Sequence, residues 1–318
     1  MKIFCLLTCL LLAPCARVHA EFAQLGPVET LDNGRVTLQV ALRVGRIVSF
    51  HRPGEPDWLI VHDEVPHPGW NWNPWGGDRM WPTSQTINPQ IYKNEGFDPV
   101  IDGQSWELVS KTATSLVMRS GISPQLGLRV THCIELIGKT TEVLHTYRVE
   151  RLSNSNFPVH VWTVTGVRAG ETILMESDPR VGHYGYKPFK PWTDGDYTTP
   201  SGTTLVPNTR ILQIPWPKKG PVKLGTYGRW IALVSNGSAF WQSIDYDPDA
   251  FYLEASSLQA FIDITKDTQE LETLSPTWMM SKGETREWTV RWRLLDFPSG
   301  AKSVSERASF LAVQTKIP

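Results

Sequence analysis

The chain has 318 residues, 41% of them hydrophobic, with 31 Lys and Arg against 32 Asp and Glu, a formal net charge of −1. Near-neutral charge without a block of Lys/Arg excludes a partner read through its phosphates, so no nucleic acid is expected. No run reaches the ~20 apolar residues of a membrane-spanning helix, so no transmembrane segment is expected either.

Residues 1–20 read as a cleavable signal peptide: a basic start at Lys2, an apolar run from Ile3 to Ala13, and small residues around Val18-His19-Ala20, with the cut before Glu21. The alternative, lipidation at Cys15, meets Pro14 where small residues are normally required. Cleavage removes Lys2 and Arg17, leaving 29 basic against 32 acidic residues and a charge of −3. It also removes Cys5, Cys9 and Cys15, so Cys133 stands alone and neither an internal disulfide nor a multi-Cys zinc site can form. The expected location is periplasmic or secreted, and residues 21–318 are expected to form a single domain.

Along that domain period-two alternation dominates, from Arg35–Leu42 through Gly127–Leu136 and Thr140–Val149 to Val159–Val164. It continues through Trp230–Ser235, Phe251–Ile264 and Arg286–Leu295, broken by turns such as Asp32-Asn-Gly34 and Asn236-Gly237. This pattern predicts an all-β chain, a large antiparallel β-sandwich or barrel. One short helix is expected at Ser303–Val313, with Ser303 as its cap.

Two stretches, 62–102 and 177–207, are rich in Pro and aromatics and read as ordered loops covering something. The first holds Trp70-Asn-Trp-Asn-Pro-Trp-Gly-Gly-Asp-Arg-Met-Trp81, four of the chain's fourteen tryptophans. Clustered indoles either stack on the apolar faces of sugar rings or fill core. Beside them, Gly76-Gly77 let the backbone approach closely, and Asp78 and Arg79 supply an acceptor and a fork of donors for a polyhydroxylated ligand. Trp75, Trp81 and, on the Val159–Val164 strand, Trp162 are the candidate sugar-binding aromatics. Further on, Glu270 and Glu272 of Gln269-Glu-Leu-Glu-Thr-Leu-Ser-Pro276 share one face of a strand; they are either site carboxylates or a solvated face. No histidine pair has metal-ligand spacing, and Asp245-Tyr-Asp-Pro-Asp249 lacks the glycine and terminal Glu of a calcium loop, so no metal and no cofactor are expected.

In combination, Trp75-Gly-Gly-Asp-Arg-Met-Trp-Pro82, Lys223-Leu-Gly-Thr226, Glu270-Leu-Glu-Thr-Leu-Ser-Pro276, Lys282-Gly-Glu284 and Glu287-Trp-Thr-Val-Arg-Trp-Arg293 resemble an uncharacterised bacterial family of the galactose mutarotase-like (aldose 1-epimerase-like) superfamily. The resemblance spans about residues 30 to 295 and implies a β-supersandwich with a carbohydrate cleft on its concave face. It implies a late-strand glutamate as general base, matched here by Glu272, and a sugar-gripping arginine on an early loop, matched by Arg79. A histidine would protonate the ring oxygen. The family's His-Gly-Gly is absent here, and the nearest match to its second histidine is His160, displaced onto a strand; His62, His67 and His183 are further candidates. Three readings follow: an aldose epimerase, a non-catalytic glycan-binding or accessory module, and a glycan-cleaving enzyme using Asp78 with Glu272.

Overall fold

A computed structural model describes residues 25–62, 76–85, 87–92, 97–179, 190–191, 201–218, 221–264 and 268–315. The signal-peptide reading, Cys15, Trp70, Trp72, Trp75, His67 and His183 lie outside the described residues.

The alternating segments pair into two large antiparallel sheets. The first runs β1 (Val28–Asp32), β2 (Thr37–Ala41), β3 (Arg46–His51), β4 (Asp78–Trp81), β9 (Trp162–Gly166), β18 (Thr268–Leu274), β17 (Leu258–Asp263), β14 (Val222–Thr226) and β11 (Lys190–Pro191). The second runs β12 (Thr204–Leu205), β13 (Ile211–Pro215), β10 (Thr172–Glu176), β15 (Trp230–Ser235) and β16 (Ser238–Ile244). It continues through β19 (Thr285–Asp296), β8 (Val143–Arg151), β7 (Leu128–Leu136), β6 (Ser115–Arg119) and β5 (Glu107–Lys111).

The alternation in β7 and β8 is plain because only one face is buried there. In β15 every residue is buried, since Ile231 and Leu233 face the sister sheet while Trp230, Ala232 and Val234 face helix α2 (Val304–Ala312). Helix α2 starts where the sequence places it: the Ser303 side chain accepts from the Glu306 N–H, and the Glu306 carboxylate accepts from the Ser303 N–H at 2.7 Å. Of the expected strand at Phe251–Ile264, only Leu258–Asp263 forms. Residues 251–257 turn instead, with Ala255 at positive φ. A second helix, α1 (Asn88–Tyr92), interrupts the Pro-rich stretch.

Between the sheets the core joins Phe50 to Phe240 and Trp292, the latter two meeting edge to face at 5.0 Å. One polar network crosses this layer. Tyr147 of the second sheet donates to Asp78 of the first at 3.1 Å, Thr165 donates to Asp78 at 2.7 Å, and Gln242 donates to Thr165 at 2.9 Å. Burial pushes Asp78 up to about 7, against those two hydrogen bonds, which favour the carboxylate.

His132 stacks on Tyr147 at 4.0 Å, and His145 lies 5.6 Å from His132 and 4.1 Å from Trp292. Burial holds His132 down at about 3 and His145 well below its ordinary value. Each must stay neutral in the fold while titrating near 6.5 in the unfolded chain. Their contribution is therefore complete above pH 6.5 and is lost as pH falls below it. Asp78 opposes this, because in the fold it takes up a proton below about 7. Comparing two proteins cancels that term. His132→Phe keeps the stacking on Tyr147 and removes one titration, so its stability relative to wild type should rise by about 2 kcal/mol between pH 7 and pH 5, at about 1.4 kcal/mol per pH unit below the unfolded value. Urea denaturation at the two pH values measures this; a pH-independent difference would show that His132 does not stay neutral in the fold.

Candidate functional site

Register places the site. Across β4, β9 and β18, Arg79 pairs with Val164 and Glu272 with Val164, while Trp81 pairs with Trp162 and Trp162 with Leu274. On the far side Gln259 of β17 lies opposite Glu272, Phe261 opposite Glu270, and Lys223 of β14 opposite Phe261. Residues directly opposite share a face. Arg79, Trp81, Trp162, Lys223, Gln259, Glu270 and Glu272 therefore stand together on the face of the first sheet turned away from the second.

The Glu272 carboxylate is completely buried. It accepts from Trp162 Nε1 at 2.8 Å, and Lys223 Nζ lies 3.0 Å from Oε1 and 3.1 Å from Oε2. The same ammonium sits 4.9 Å from the centre of the Trp162 ring. Burial pushes Glu272 up to about 7, Lys223 pulls it down, and Glu270 pushes it up.

Next along the face, Arg79 donates to Glu270 at 3.0 Å and its Nε lies 3.9 Å from Asp102. Asp102 also accepts from Arg46 at 2.9 Å and from Trp81 Nε1 at 2.6 Å. Trp81 and Trp162 meet edge to face at 5.3 Å, with the Arg79 guanidinium 5.5 Å from the Trp81 ring. Among the described residues three cations thus face three carboxylates, and Glu270, at 14% side-chain exposure, is the most open of the six. Buried charges survive only when paired and hydrogen-bonded, and this row meets that condition.

The structure brings together Glu272, Glu270, Arg79, Trp81 and Trp162 as the sequence expects. It does not bring Asp78 to them. Asp78 pairs in register with Thr165 and turns toward the sister sheet, where Tyr147 holds it. The expectation that Asp78 grips a ligand is corrected accordingly: in a strand, neighbours point to opposite faces. Asp78 and Glu272 lie on opposite faces of one sheet, so they cannot flank a glycosidic bond, and the glycan-cleavage reading built on that pair fails.

The expectation for Gly76 and Gly77 changes as well. Both have positive φ, +76° and +66°. A Cβ on Gly76 would collide with the Ile60 carbonyl and one on Gly77 with that of Ile47. Their bareness serves strand packing, with Gly77 N–H donating to Ile60 at 2.8 Å.

His160 is buried just before β9, its N–H bonded to the Pro82 carbonyl at 2.9 Å and its ring 6.1 Å from Trp162. Burial pushes its ring down to about 4, against a contact with Thr83 that pulls it up. No hydrogen bond or ion pair joins it to Glu272 among the described residues. Sequence reasoning passed over Lys223, Arg46 and Asp102 as site residues. A signal for Lys223 existed: it is the one charge in Val222–Thr226, a strand buried throughout.

No protein-family model matches this sequence, and no curated protein is similar to it by sequence. Solved structures do match. A galactose mutarotase-like protein from Lactobacillus casei ATCC 334 superposes with a TM-score of 0.60 at 11% identity, over 84% of this chain and 100% of that one. A galactose mutarotase related enzyme from Lactobacillus acidophilus does so with a TM-score of 0.55 at 9% identity, over 86% and 99%. At such identity the likeness is one of fold, and the chain has the galactose mutarotase-like sandwich.

Proposed function

From that fold, we propose that this chain is an exported carbohydrate-binding protein that interconverts the anomers of an aldose, with Glu272 as general base. The observation that carries this reading is the Glu272 carboxylate itself. It is buried on the charged, Trp-lined face of the first sheet and held near the pH at which it can both take and return a proton. Arg79 and Glu270 supply polar contacts for sugar hydroxyls, and Trp81 and Trp162 supply apolar ring faces. Trp75 belongs to the same proposed binding set through its motif. Export would expose such a protein to extracellular or imported glycans.

A second reading, a non-catalytic glycan-binding module, is favoured by one observation: burial pushes the His160 ring down to about 4 and no hydrogen bond or ion pair joins it to Glu272 among the described residues, so His160 does not fill the acid's place that the family resemblance implies. The two readings separate on wild-type protein. Tryptophan fluorescence titration with D-glucose, D-galactose, D-mannose and L-arabinose should show saturable quenching. Polarimetry should then show faster anomer equilibration with whichever sugar binds. Binding without acceleration leaves the module; neither result sinks both readings.

A further inference from the structure

Lys223 is the cation that pairs with the proposed base, and three observations give it a chemical role. Its Nζ lies 3.0 and 3.1 Å from the two Glu272 oxygens, so acid and base are side by side. Trp162 holds that arrangement, donating to the carboxylate at 2.8 Å while its ring underlies the ammonium at 4.9 Å. Among the described residues, the other cations on this face, Arg46 and Arg79, are guanidinium groups that do not give up protons in proteins.

We propose that Lys223 is the proton donor that works with Glu272 in ring opening, in the place that His160 does not fill. This rests on the reading of the site as an aldose epimerase. The hydroxyl oxygen and the ring oxygen of a hemiacetal are bonded to the same carbon. An adjacent acid–base pair on one side can therefore serve both, without a second group across the sugar.

The Glu272 carboxylate takes the proton of the anomeric hydroxyl while the Lys223 ammonium gives one to the ring oxygen. The bond from the anomeric carbon to the ring oxygen breaks as the carbonyl forms. What results is an open-chain aldehyde, a protonated Glu272 and a neutral Lys223. After rotation about the bond between the first two carbons, the freed hydroxyl attacks the other carbonyl face. It returns its proton to Lys223, and the new anomeric oxygen takes one back from Glu272. Both residues end as they began. Shielding from water strengthens each charge contact in the exchange.

Lys223→Arg separates this role from a merely structural ion pair, because arginine keeps the charge but cannot release the proton. On the full chain, K223R should bind the same aldose within a few-fold of wild type while kcat falls on the order of 100-fold. Should K223R misfold, K223Q is the second variant; it can still hydrogen-bond Glu272 and should show the same loss of kcat. Wild-type kcat in either variant overturns the role of Lys223 alone. A wild-type protein inert toward all four aldoses overturns the epimerase reading, and this role with it.

Discussion

Glu272→Gln should lower kcat for anomer exchange on the order of 10³-fold and leave sugar binding within a few-fold of wild type. The amide is nearly isosteric. Its oxygen can still accept from Trp162 or Lys223, which now reach the carboxylate at 2.8 and 3.0 Å, so the shape of the face is kept. What disappears is a group able to accept and return a proton. Polarimetric rates measure the first effect, and fluorescence titration of the same preparation measures the second. Turnover at the wild-type rate would remove Glu272 from the mechanism. Loss of rate and binding together, with an altered near-ultraviolet spectrum, would instead mark Glu272 as a structural ion.

Asp102→Ala should be the most destabilising single change on this face, at about 3–5 kcal/mol. Asp102 accepts from Arg46 at 2.9 Å and from Trp81 at 2.6 Å, and it lies 3.9 Å from Arg79. Burial already pulls Arg46 below its ordinary value, with Asp102 holding it up. Removing the carboxylate leaves that guanidinium buried without its neutralising partner and takes the acceptor from an indole N–H. Urea denaturation at neutral pH gives the loss directly. A change below about 1 kcal/mol would mean that water or another carboxylate takes over.

The strands with one wet face, such as β7 and β8, were legible from their alternation, and Ser303 was legible as the cap of the one expected helix. The motif around Trp81 was half legible. Its residues belong to the site, yet Asp78–Trp81 reads as part of an irregular loop, because four residues buried on both faces carry no period-two signal. The structure makes them a strand inside the first sheet, and that alone separates Asp78 from Arg79. Glu272 was legible as a candidate through its motif. Its partner Lys223 was not, because the contact joins residues 49 apart in sequence through two intervening strand pairings. Asp102 was hidden for the same reason, far from any strand that carries the site.

Helix α2 has a consequence for how the molecule is made. The apolar side that it covers, with Trp230, Ala232, Val234 and Ala239, is synthesised well before the helix itself, whose Ala308 and Leu311 complete that layer. A nascent chain halted ahead of Val304 would therefore carry a bare hydrophobic stripe on an otherwise assembled sheet. Exposed surface of that kind is what chaperones hold and what aggregates in their absence. Helix α2 decides whether that layer of the sandwich is finished.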